Sequence, residues 1–214
     1  MNIEKIIEKL REFYKSNNKT LMDKVSQRED PFKVLIACII SQRTKDETTD
    51  KIVDNLFRII KNPYDLQKFE LEELEKLIYP SGFYRVKAKR LKELSKVLIE
   101  KYGGLVPDSI DELLKLPQVG RKTANIVITK GYKKPGIAVD THVHRIANRI
   151  GIVKTKKPEE TEFKLREIVP KKYWIELNDY LVKFGKNICT PISPKCSICP
   201  IEMYCQKVNV KKFR

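Results

Sequence analysis

From Ile3 to Phe184 the apolar residues of this 214-residue chain recur at helical spacing, and no convincing stretch of them alternates as a strand would require. That pattern predicts an all-α protein. Ile3, Ile6, Ile7, Leu10, Phe13 and Tyr14 make the stripe of a first amphipathic helix. Pro31 opens a second, Phe32 to about Ser41, apolar enough to be buried, with Cys38 inside it as a small apolar residue. Thr44 and Glu47 read as a capping box for a third, which runs to about Lys61 and is ended by Asn62-Pro63. A short helix over about 70–78 comes next. The following helix, ended by Tyr102-Gly103-Gly104, should bury Val86, Leu91, Leu94, Val97 and Leu98. Asp140 or Thr141 caps a helix that stops at Gly151. Pro158 opens another that ends before Pro170, and a last one spans roughly Tyr173 to Phe184.

Between these lies a denser signal. Ser109-Ile110-Asp111-Glu112 reads as a capping box for a short helix ending near Pro117. Leu116-Pro117-Gln118-Val119-Gly120 makes a tight turn, and a helix follows with Arg121 and Lys122 in its first turn and Gly131 as its left-handed stop. Residues 109–131 are thus helix, hairpin, helix. The unsatisfied N–H groups and positive dipole end at the second helix start suit a phosphate. A second loop has the same flavour. Gly82 permits a sharp turn, Phe83 and Tyr84 follow, and Arg85, Lys87, Lys89 and Arg90 crowd a helix start whose dipole opposes them. An external anion would relieve that conflict, and aromatics beside cations suit stacking on bases.

The whole chain carries 44 Lys and Arg against 28 Asp and Glu, a net charge of +16. Such an excess favours a polyanion, nucleic acid before an anionic membrane surface. The longest apolar run, Val34 to Ile40, is far short of the ~20 residues that span a bilayer. With no secretory leader at the N-terminus, the expectation is a cytoplasmic protein. There, cysteines in close array bind metal more often than they form disulfides. Cys189, Cys196, Cys199 and Cys205 fall within seventeen residues, with Pro191, Pro194 and Pro200 among them. Such a segment buries little apolar surface and needs another source of order. By spacing alone, zinc and a 4Fe–4S cluster both fit. Lys122 also has two readings, a phosphate contact or a nucleophile. A helix start beside Arg121 disfavours positive charge, as an attacking amine requires. Asp140 reads as a helix cap.

LPQVGRK at 116–122, Val139-Asp140-Thr141-His142 and the Cys-x6-Cys-x2-Cys-x5-Cys pattern together resemble the endonuclease III family of DNA glycosylases, over about Phe32 to Cys205. The resemblance implies two helical lobes, 24–133 and 1–23 with 134–214, duplex DNA in the cleft between them, and a 4Fe–4S cluster on the four cysteines in a loop over 189–205. It implies Lys122 as the nucleophile of a bifunctional glycosylase and lyase acting on damaged pyrimidines or abasic sites, with Asp140 assisting. Gln42 and Phe83 would fill the gap left by the extruded base, the latter following Gly82, while Gln118, Val119, Gly120 and Arg121 would meet phosphate. Two residues depart from the family: Phe83 stands where leucine is common, and Gln118 replaces the first glycine of LPGVG. A monomer associated with the nucleoid is the expectation. The rival readings are a monofunctional mismatch-type glycosylase on the same fold and a non-catalytic, metal-stapled DNA-binding protein.

Overall fold

The computed structural model describes residues 3–14 and 30–214, which form helices and turns without a strand. The helices are α1 (Ile3–Phe13), α2 (Pro31–Ser41), α3 (Asp46–Ile59), α4 (Pro63–Lys68), α5 (Leu71–Ile78), α6 (Tyr84–Tyr102), α7 (Ile110–Leu113), α8 (Arg121–Ile126), α9 (Thr141–Ile150), α10 (Pro158–Ile168) and α11 (Trp174–Asn187). A π-helical turn, Val127–Gly131, continues α8. The described residues form two compact units, one from Asp30 to Lys134 and one joining α1 to everything from Pro135 onward. The lobe boundary expected near residue 24 lies outside the described residues.

The first unit is built around α2. Every residue from Val34 to Ile40 is buried, as a helix apolar on all sides requires. Asp30 caps it, its carboxylate accepting from the Phe32 and Lys33 N–H groups at 2.9 and 3.3 Å. α3, α6, α8 and the π-helical turn pack around it. Gly131 is not the left-handed stop expected of it, since that conformation falls to Lys133 at φ 55. Instead a Cβ on Gly131 would come within 2.9 Å of the Pro31 Cα, so glycine is needed for close helix packing.

Two further expectations change here. Thr44 does not cap α3, which starts at Asp46 with no side-chain cap; the Thr44 hydroxyl is engaged by a neighbouring loop instead. And α6 buries Lys87 (6 % exposed) while Val86 is 48 % exposed, the reverse of the apolar pattern. In the second unit, α1 and α9 pack on α11, with α10 against α9. Ile6, Ile7 and Leu10 join Val143, Ile146 and Leu181 in one core. Arg11 forks onto Glu176 at 2.6 and 2.9 Å.

Candidate functional site

Lys122 is exposed in the first turn of α8. Leu116 and Val119 are buried and anchor the hairpin that leads to it, and the Val119 N–H donates to the Leu116 carbonyl at 3.3 Å. Gln118 turns the chain at φ 66, in the left-handed region, and Gly120 leads into the helix in extended backbone. No side chain caps the start of α8, which suits a helix start that receives an anion. Gln118, Val119, Gly120, Arg121 and Lys122 are therefore one local unit.

Gln42, Gly82 and Phe83 form a second. Gln42 ends α2 and is half-buried; Phe83 is 61 % exposed at the start of α6. The sharp turn expected at Gly82 is made by Phe83 itself, at φ 59, and by Arg43 across from it, at φ 51. Gly82 serves another purpose. A Cβ there would collide with the Arg43 carbonyl, so the glycine lets the two loops touch. The Gly82 N–H donates to the Thr44 hydroxyl at 3.0 Å. The Lys87 ammonium donates to the same hydroxyl at 2.9 Å and to the Ile40 carbonyl at 2.7 Å. Burial lowers Lys87 from its ordinary value to about 8. The Arg43 guanidinium lies 5.3 Å from the Phe83 ring centre. Lys87, read as a phosphate contact, is thus an internal tie.

Asp140 caps α9. Its Oδ1 accepts from the His142 and Val143 N–H groups at 2.8 and 2.9 Å, and buried Ile137, Ala138 and Val139 hold the chain behind it. The two histidines, two positions apart on α9, diverge. His142 Nδ1 lies 3.3 Å from Arg145, and His144 Nδ1 lies 2.7 Å from Thr161 Oγ1.

Cys189, Cys196, Cys199 and Cys205 line one pocket with Arg149 and Lys207. Burial pushes Cys199 up to about 12 and raises Cys196 and Cys205, so thiolates here call for a positive centre. Arg149 Nη1 donates to Cys189 Sγ at 3.5 Å, and the Lys207 N–H to Cys205 Sγ at 3.4 Å. Among the described residues no three His, Cys, Asp or Glu side chains stand as close as a single bound ion would need. The fit to a cluster rests on the four sulfurs around one pocket and the N–H donors aimed at them. Arg149 also holds the Thr190 and Pro191 carbonyls at 2.6 Å each, and Arg145 the Gly185 and Cys189 carbonyls at 3.0 and 2.8 Å. Sequence reasoning passed over this pair, although arginines four apart share a helix face.

Residues 36–171 match the model for the HhH-GPD superfamily of base excision DNA repair proteins, and residues 189–205 that for the iron–sulfur binding domain of endonuclease III. The chain is 54 % identical over 177 residues to endonuclease III of Thermotoga maritima, covering 83 % of each protein. It is 42 % identical over 179 residues to endonuclease III of Bacillus subtilis, covering 83 % of this chain and 82 % of the relative. A trapped endonuclease III–DNA covalent intermediate superposes with a TM-score of 0.84 at 35 % identity, over 96 % of this chain and 94 % of that one. A thermostable thymine-DNA glycosylase superposes with a TM-score of 0.85 at 28 % identity, over 95 % of each.

Proposed function

This chain belongs to the endonuclease III family and is a base excision repair DNA glycosylase and abasic-site lyase with a 4Fe–4S cluster, and we propose that Lys122 is its nucleophile and Asp140 the carboxylate that assists it. The observation that carries this reading is the exposed Lys122 amine one residue into an uncapped helix start, directly after the hairpin. Asp140 spends Oδ1 on the two N–H groups of its own helix, and neither of those bonds involves Oδ2.

The reaction divides into two steps. Asp140 accepts a proton from the Lys122 amine, which attacks the sugar C1′. The bond from C1′ to the base breaks, its electrons leave with the base, and the base takes up a proton. Positive charge on the sugar at this point is stabilised by the carboxylate. The C1′–O4′ bond then opens, O4′ takes up a proton, and the resulting C1′ iminium loses a C2′ proton. The C3′–O bond breaks by β-elimination, and the strand is cut 3′ to the lesion. The substrate is duplex DNA carrying an oxidised pyrimidine or an abasic site, bound by a monomer at the nucleoid in the cytoplasm. Gln42 and Phe83 fill the place of the extruded base, which offsets an unstacking cost of a few kcal/mol. The backbone of 118–121 holds phosphate, while Gly82, whose N–H is taken by the Thr44 hydroxyl, lets its loop pack against the 41–44 loop. Cys189, Cys196, Cys199 and Cys205 hold the cluster, which orders their loop when bound.

Borohydride trapping on duplexes with thymine glycol or an abasic site tests the assignment. Wild type should give a covalent complex on both, and Lys122→Ala on neither. Trapping confined to the abasic duplex removes the damaged-pyrimidine assignment. Intact DNA binding with no trapping on either sinks the lysine.

A further inference from the structure

Lys87 is a charged side chain placed where the apolar pattern of α6 calls for none. It is 6 % exposed, and its head group lies between the last turn of α2 and the loop that follows. The Ile40 carbonyl it meets belongs to the negative end of α2, where a cation is favoured. Its second acceptor, the Thr44 hydroxyl, is fully used. It donates to the Gln42 carbonyl at 3.3 Å and takes bonds from Lys87 and from the Gly82 N–H. A hydroxyl has one donor and two lone pairs, so nothing at Thr44 is spare. The ends of this network are the backbone of Gln42 and the residue before Phe83. Stability does not explain the choice. A buried apolar side chain of similar length would avoid the desolvation cost of an ammonium.

We propose that Lys87 is a positioning residue, which clamps the 41–44 loop to the 80–83 loop through Thr44 and thereby sets the separation of Gln42 and Phe83. The proposal rests on the reading of those two side chains as the pair that fills the gap in the duplex. Lys87 touches no DNA in this role. It acts before the chemistry, on the extrusion of a base, and leaves the reaction of an already vacant site alone.

The test uses the cluster-loaded protein with Lys87→Met, which keeps the buried stem, and Thr44→Val, which cuts the same network from the other side. Single-turnover base removal is measured on a thymine glycol duplex, borohydride trapping on an abasic duplex, and fluorescence of 2-aminopurine opposite the lesion. Both variants should slow base removal roughly tenfold and lose the fluorescence change, with trapping within about threefold of wild type. Equal slowing on both duplexes, or base removal by both variants at the wild-type rate, overturns the proposal. Gln42→Ala and Phe83→Ala run alongside. If they slow base removal and the clamp variants do not, the clamp alone is wrong. If neither slows it, the gap-filling reading falls and the role of Lys87 falls with it.

Discussion

Gln118 holds the hairpin in a backbone conformation in which a side chain costs about 1–2 kcal/mol. Gln118→Gly should therefore raise stability by about 1 kcal/mol, a gain of roughly 2–4 °C in Tm for a chain of this size. Thermal melts that show a loss instead would mean that the glutamine side chain makes a compensating contact. Lys87 gives a second prediction. Its folded value of about 8 lies below the ordinary 10.5, so between those values the unfolded chain binds more protons than the folded one. The cost of burying its charge is fully present below about pH 8 and fades as pH rises toward 10.5. Urea melts should show wild type gaining on Lys87→Met between pH 7.5 and pH 10; a constant difference contradicts the low value. The place of Lys122 at a helix start and of Asp140 as a helix cap was legible in the sequence, because residue type and the cap-and-hairpin spacing set both without tertiary information. Lys87 was not. It neighbours Val86, and no linear pattern reveals that a lysine head will find the carbonyl of Ile40, forty-seven positions away.

The helices were largely legible because each keeps its apolar period, and Pro31, Asp140 and Gly151 punctuate them as expected. α4 was missed because Asn62-Pro63 was read as a stop. The same pair also starts a helix, with the Asn62 side chain accepting from the Asp65 N–H at 3.1 Å. Thr44 was misassigned for a tertiary reason, since the Gly82 amide and Lys87 engage the hydroxyl that a cap would use. At this scale Gly82→Ala is the informative change. The clash it creates is with the backbone carbonyl of Arg43, which cannot rotate away, so the two loops must part at a cost of about 1–3 kcal/mol. Urea melts and the 2-aminopurine signal should both register it; an unchanged signal would show that the loops need not touch. The cysteine loop should depend on its cluster. Stripping iron from the protein should expose Lys195 to trypsin while circular dichroism keeps most of its helical amplitude. Protection of Lys195 without iron would show that the arginine bonds of α9 suffice.

An all-α chain with +16 net charge was readable from periodicity and composition. What that charge does is measurable. Binding to duplex DNA should weaken steeply with salt, with a log–log slope near −0.9 for each phosphate neutralised. A flat response would count against a phosphate-tracking surface. The pairing of α1 with the C-terminal half had no local signature, because its stripe fits any apolar face. It also orders events in time. The unit from Asp30 to Lys134 is contiguous and can close once it leaves the ribosome, but Arg11 must wait for Glu176, made 165 positions later. At roughly 5–20 residues per second that wait is on the order of ten seconds or more. Throughout it the chain's first helix has Ile6, Ile7 and Leu10 without the core that later covers them, a window in which a nascent-chain chaperone has something to hold.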